Sequence, residues 1–177
     1  MDKPMPNWAF AGMSFMFKLR DFLFPREDVL KEAGIKPGFQ VLDYGCGPGG
    51  YVLGAAELVG ESGVVYALDI HPLAVQKVQE LARKNGLTNI KTIQSDCQTG
   101  LADGSIDLVL LYDIFHMLSH PQAILAELHR VLKPDGILSF DEPHMDDDDA
   151  ISRVIASRLF ELTKRGEKTF TFSPQKN

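Results

Sequence analysis

Residues 41–51 read Val-Leu-Asp-Tyr-Gly-Cys-Gly-Pro-Gly-Gly-Tyr, an apolar run that ends on a carboxylate and breaks at once into glycines. A short strand that runs into a glycine turn and then into a helical pattern is the opening of an α/β sheet. Gly45, Gly47 and Gly49 permit the backbone of a tight turn and let the main chain approach a flat, polar ligand. The helix is expected from about Gly50 to Val59, with its first N–H groups pointing back at the turn. Asp43 adds a negative charge at the carboxyl end of the strand, where open parallel sheets bind ligands. The spacing Gly-x-Gly-x-Gly is offset from the dinucleotide pattern, and the carboxylate before it suits a cationic group better than a pyrophosphate.

The chain repeats this theme downstream. Val64 to Asp69 is a second strand that again ends on an acid, a place from which a carboxylate accepts hydrogen bonds from ribose hydroxyls in nucleoside-binding corners. Pro72 to Asn85 is an amphipathic helix, and His71 either caps it or touches a ligand edge. Ile90 to Ile93 is a third strand followed by a loop carrying Asp96 and Cys97. Ile106 to Leu111 is apolar enough to be buried on both faces and empties into residues 112–121, Tyr-Asp-Ile-Phe-His-Met-Leu-Ser-His-Pro. A helix over Gln122 to Leu132, a turn over Lys133 to Gly136 and a fifth strand over Ile137 to Phe140 follow, with Asp141 to His144 at its carboxyl end. Asp146 to Asp149 supply a dipole-complementing first turn for a helix through Ser157. Leu159 to Lys164 and Lys168 to Phe172 read as an antiparallel hairpin on one edge of an otherwise parallel sheet.

Val41 to Tyr51, Asp69, Asp96 and residues 132–136, Leu-Lys-Pro-Asp-Gly, together resemble the class I S-adenosylmethionine-dependent methyltransferases, the broad group that contains the ubiquinone and menaquinone C-methyltransferases. The resemblance runs from roughly Lys36 to Phe172. It implies a Rossmann-like class I methyltransferase fold: α/β, a seven-stranded, mostly parallel sheet, an antiparallel C-terminal edge hairpin and an N-terminal helical lid. It also implies S-adenosyl-L-methionine as cofactor, with Asp43, Gly45, Gly47 and Gly49 beside the methionine part, Asp69 on the ribose and Ile70 on the adenine ring. Asp96 would accept from the adenine amine, the Cys97 region would offer backbone N–H, and Tyr112 joins the cofactor-binding set. The segment after the fourth strand lacks Asn/Asp-Pro-Pro-Tyr/Phe, the signature of relatives that methylate exocyclic amines of nucleobases or glutamine. His116 and Asp113 are the catalytic candidates there, His116 as a general base or as a packing group near the cofactor, Asp113 to orient or assist electrostatically.

Composition narrows the partners. The 177 residues carry a formal net charge of -6, which argues against a broad nucleic-acid footprint, and their 45% hydrophobic content is that of a soluble domain. Two cysteines are too few for a disulfide framework or a thiolate metal cluster, and no metal is expected. No run is long and apolar enough to span a membrane and no signal-like core follows Lys3, so a cytoplasmic location is expected. Residues 1–35 form an N-terminal helical segment and residues 36–177 the S-adenosylmethionine-binding domain. Met1 to Asn7 reads as a frayed tail, and residues 8–25 are dense in aromatics and methionines: a helix that caps the sheet, a lid over cofactor and apolar substrate, or a surface for a partner. With little chain between the fifth strand and the hairpin, the acceptor pocket is open, small, or completed by that helix or by a second copy in a homodimer. The expected function is methyl transfer to a small, partly apolar acceptor. A non-catalytic cofactor-binding module or activator subunit, and a nicotinamide oxidoreductase, are the competing readings.

Overall fold

The structure, a computed structural model, describes residues 4–23 and 26–175, without the side chains of residues 15 and 17–23. In chain order it contains α1 (Asn7–Leu23), α2 (Glu27–Ala33), β1 (Gln40–Tyr44), α3 (Val52–Val59), β2 (Val64–Asp69), α4 (Pro72–Lys84) and β3 (Ile90–Gln94). Then follow β4 (Ile106–Tyr112), a single 3₁₀ turn (Phe115–Met117), α5 (Pro121–Val131), β5 (Leu132–Asp141), α6 (Asp147–Ile155), β6 (Phe160–Arg165) and β7 (Phe170–Pro174). The strands form a 7-stranded sheet in the order β3-β2-β1-β4-β5-β7-β6. β1 to β5 pair in parallel, and β7 lies antiparallel between β5 and β6. This is the expected Rossmann-like methyltransferase arrangement.

Successive side chains of a strand point to opposite faces, so a central strand feeds two cores. β4 does this: Leu108 and Leu110 join α2 and α3 in one cluster, while Val109 and Leu111 join α5 and α6 in the other. Both faces of its middle are fully buried, which is why it reads as an unbroken apolar run. The helices meet the sheet through ordinary stripes, Val52, Ala55, Ala56 and Val59 on α3 and Ile124, Leu125, Leu128 and Val131 on α5.

Two local expectations change. Lys133 to Gly136, read as a turn between helix and strand, lies within β5, which begins at Leu132 directly after α5. Its pairing with β4 shifts register between Ile106↔Leu132 and Leu108↔Ile137, so a step of two residues on β4 matches five on β5 and the extra residues bulge. Lys133 Nζ on Asp107 Oδ1 at 2.5 Å fastens the bulge, and the space beside Gly136, where a Cβ would stand 2.9 Å from the Lys133 carbonyl oxygen, keeps it tight. Within the segment read as a frayed tail, Met5 is held: its carbonyl lies 3.0 Å from His71 Nε2. Among the described residues no helix is long and apolar enough to cross a membrane.

Candidate functional site

The glycine loop closes over the carboxyl end of β2. The N–H groups of Gly45 and Cys46 donate to the Leu68 carbonyl at 2.8 and 2.9 Å, and Gly47 N–H donates to Asp69 Oδ2 at 2.9 Å. The other oxygen of Asp69 accepts from His71 N–H at 2.7 Å. One carboxylate thus joins the loop to the start of α4, and with about four lone-pair sites it keeps capacity for further donors. Burial raises the Asp69 carboxyl and these two N–H donors pull it back. Gly45 (φ +80), Gly47 (φ +50) and Gly49 (φ +92) all take the left-handed conformation. Beside Gly47 a Cβ would meet nothing within 4 Å, whereas at Gly45 it would stand 3.0 Å from Ile114 Cγ1. The first is open ligand space and the second a packed wall.

Beneath the loop lies Asp43, 2% exposed, with Oδ2 lacking any hydrogen-bond partner among the described residues. Burial, and then the charge of Asp69, pushes its carboxyl up to about 7. A buried acceptor left unsatisfied is rare, and one beneath a glycine loop that lines a pocket fits an incoming cationic donor.

The pocket in front of the loop encloses about 90 Å³, below the roughly 300–1,000 Å³ of small-molecule sites. Of the residues nominated from sequence, Gly45, Gly47, Asp69, Ile70, Asp96 and Asp113 line it; Asp43, Gly49, Cys97, Tyr112 and His116 do not. Tyr112 is buried, its hydroxyl 2.6 Å from Ser139 Oγ and its ring edge-on to Tyr51 at 4.9 Å, and burial drives its phenol far above the usual range. Cys97 is half-buried, its thiol raised by burial and then by Glu127 and Asp96. Gly49 packs on Leu81 and Val78 of α4.

Part of the pocket comes from the N-terminal stretch that the sequence offered as a cap, a lid or a partner surface: Phe10 and Met13 lie within residues 8–25, while Met5 lies in the segment read as a frayed tail. Met5, Phe10 and Met13 line the pocket from the chain's own N-terminal segment, together with Ile114, Met117 and Leu118. His71 is the anchor: its Nδ1 accepts from Leu73 N–H at 3.1 Å and caps α4, its ring stacks on Phe10 at 4.2 Å, and Nε2 reaches the Met5 carbonyl. Phe10 is 1% exposed, while Trp8 and Met16 on the same helix are exposed. Of the rest of that stretch, the side chains of Phe15 and of residues 17–25 lie outside the described residues; Phe10 at i and Met13 at i+3 share one helix face toward the pocket.

Two histidine–carboxylate pairs stand where β4 and β5 end. His116 Nδ1 lies 2.8 Å from Glu142 Oε1, and His116 N–H and His144 N–H also donate to that carboxylate at 3.0 and 3.1 Å. His144 Nε2 lies 3.1 Å from Asp113 Oδ1, and the two imidazoles are 4.7 Å apart. Asp113 adopts φ 56, uncommon for a non-glycine residue and frequent at functional sites. Next to it, Asp141 is pushed up to about 6 by burial and then by the Asp113 charge, with Arg26 acting in the opposite sense.

Comparison with known proteins agrees with this fold. A demethylmenaquinone methyltransferase of Geobacillus kaustophilus is 31% identical over 126 residues, 71% of this chain and 54% of the relative. An aklanonic acid methyltransferase of Streptomyces is 35% identical over 109 residues, 60% of this chain and 49% of the relative. The chain therefore spans about half the length of these curated relatives. Among solved structures, an S-adenosylmethionine-dependent methyltransferase from Aquifex aeolicus superposes with a TM-score of 0.76 at 29% identity, covering 91% of this chain and 96% of that one. With the family model described as "Methyltransferase domain" matching residues 35–171, the chain belongs to the methyltransferase domain family.

Proposed function

We propose that this chain is an S-adenosylmethionine-dependent methyltransferase acting on a small, partly apolar acceptor. The observation that carries the reading is the unsatisfied, fully buried Asp43 Oδ2 under a glycine loop with open space beside Gly47. The residues present fit the cofactor. Asp43 would hold its ammonium group, the left-handed loop would pass its main chain along the methionine part, and Asp69 and Asp96 would take the ribose hydroxyls and the adenine amine with Ile70 against the ring. When bound, S-adenosylmethionine supplies an electrophilic methyl group on a sulfonium.

What the chain itself contributes is alignment and exclusion of water. Met5, Phe10, Met13, Ile114, Met117 and Leu118 all line the pocket, and this apolar lining suits a small aromatic or lipid-like acceptor. We assign Asp113 and His116 to the acceptor side, Asp113 lining the pocket and His116 bonded to Glu142, with the roles of orienting the acceptor and drawing off its proton. In this reading residues 1–35 cap the cofactor-binding domain formed by residues 36–177.

Calorimetric titration with S-adenosylmethionine, S-adenosylhomocysteine and NAD tests the cofactor, with micromolar binding expected for the first two and none for NAD. A screen with naphthoquinols, catechols, simple phenols and thiols, read by mass gain of one methyl, then tests the activity. Tight NAD binding would sink the cofactor assignment, and cofactor binding with no methylated product across the screen would favour a non-catalytic binding module.

A further inference from the structure

The cluster behind the pocket wall contains more ligating chemistry than a single base requires. Asp113, His116 and Glu142 each present an atom, imidazole nitrogen or carboxylate oxygen, and these atoms all lie within 4.8 Å of one another. His144 Nε2 extends the set at 3.1 Å from Asp113 Oδ1. Four atoms bound at about 2.1 Å to one ion stand roughly 3.4 Å apart in a tetrahedron and at most about 4.2 Å apart across a diameter. The three atoms of Asp113, His116 and Glu142 are therefore close to that size already, needing the longest separation to shrink and the His116–Glu142 contact at 2.8 Å to open slightly, and His144 Nε2 adjoins them through Asp113.

We propose that Asp113, His116, Glu142 and His144 form a binding site for a divalent transition-metal cation, zinc in the first instance, at the acceptor side of the pocket. Two imidazoles with two carboxylates match zinc and its first-row neighbours, whereas magnesium and calcium take oxygen sets. The Glu142 side chain is fully shielded from solvent, and the main-chain N–H groups of His116 and His144 hold its oxygens from behind. That is the arrangement by which an outer shell aims a ligand. The cation takes the place of the proton between His116 Nδ1 and Glu142 Oε1, so these hydrogen bonds to the main chain need not break. His144, 61% exposed, provides a route from solvent, and Asp113 connects the cation to the pocket. A cation there would ligate an oxygen-bearing acceptor and favour its ionised form; this consequence rests on the methyl-transfer reading above, but the site itself does not.

The test uses the full chain, dialysed against chelator and then metal-free buffer, titrated calorimetrically with zinc chloride and separately with magnesium chloride, and with cobalt(II) followed by visible absorption. One zinc per chain at micromolar affinity or tighter, no magnesium heat, and intense cobalt bands of a four- or five-coordinate site are expected. Glu142→Gln and His116→Gln should each weaken zinc binding at least 10-fold, with 100-fold within the expected range. Because Glu142 is buried and its variant could unfold, His144→Ala at an exposed position provides the second measure, with a loss of about 10-fold. Asp148→Asn and His129→Gln, outside the cluster, should leave zinc affinity unchanged. Absence of stoichiometric zinc and cobalt binding overturns the proposal, as does binding that His144→Ala and His116→Gln leave intact or that Asp148→Asn abolishes. S-adenosylhomocysteine affinity measured on the same chelated sample separates this failure from failure of the methyltransferase reading.

Discussion

Replacing Asp43 by Asn should stabilise the ligand-free protein and weaken its hold on the cofactor. The Asp43 carboxyl rises from 3.8 to about 7 on folding, by burial and then by repulsion from Asp69. Because the folded-state value is the higher one, the stability this group allows is fully present below about pH 4 and is lost as pH rises through about 7. About three pH units at about 1.4 kcal/mol each make the full loss on the order of 4 kcal/mol. The Asp43→Asn protein would escape that penalty but would bury an amide, itself worth about 1–3 kcal/mol if unpaired, so a net gain of about 1–3 kcal/mol is expected at pH 8. For a chain of this size that is roughly 2–10 °C in melting temperature. The gain should vanish near pH 4.5, where the parent carboxyl is already neutral. Cofactor binding should move the other way: losing one charge-assisted bond of about 1.5–3 kcal/mol weakens S-adenosylhomocysteine about 10- to 100-fold. With the parent, binding near pH 7 should also release about half a proton, seen by calorimetry in buffers of different ionisation enthalpy, because a partner ammonium ionises the half-protonated carboxyl. Melting curves from pH 4.5 to 8.5 that run parallel for parent and variant, together with equal affinities, would refute the reasoning.

Asp69→Ala removes the acceptor for Gly47 N–H and His71 N–H, so S-adenosylhomocysteine binding should weaken about 10-fold or more, measured by titration, with melting also lowered because two buried donors lose their partner. Gly45→Val forces a branched side chain into a φ +80 position 3.0 Å from Ile114 Cγ1; a loss of about 1–3 kcal/mol in stability and no detectable cofactor binding are expected from melting and titration. Limited proteolysis in residues 4–13 should slow in the presence of saturating S-adenosylhomocysteine, and a chain starting at Arg26 should stay folded yet bind more weakly; equal cleavage rates with and without ligand would mean that Met5, Phe10 and Met13 are a fixed wall. His116→Gln should change cofactor affinity less than twofold while lowering turnover of an identified acceptor about 100-fold, and an unchanged rate would remove His116 from the chemistry.

What could be read from the chain, and what could not, follows from the range of the interactions involved. Glycines at positive φ, strand-end acids and an apolar β4 are local: each follows from a few neighbouring residues, and Gly45, Gly47, Asp69 and Asp96 all line the pocket. Tyr112 sits at a strand end too, yet alternation along β4 sends its ring to Tyr51 and Ser139 and away from the pocket, a distinction that a shift of one residue decides. The bulge at Lys133 to Gly136 looks like a turn because proline and glycine punctuate both; its strand character comes from pairing with β4, which no local pattern encodes. The longest-range features were the least visible. Met5 and Phe10 meet His71, and Glu142 meets His116, only after the sheet has brought distant segments together. His71 shows the physical reason: as a residue before proline it reads as a helix cap, and it is one, but the fold gives the other edge of the same ring to the N-terminal segment. Its Nδ1 accepts from Leu73 N–H, so the neutral ring carries its proton on Nε2 and donates to the Met5 carbonyl. The wall over the pocket is thereby tied to the first turn of α4, two residues beyond the carboxylate that holds the glycine loop. Loop, carboxylate and wall are therefore joined through Asp69 and His71 in one hydrogen-bonded chain.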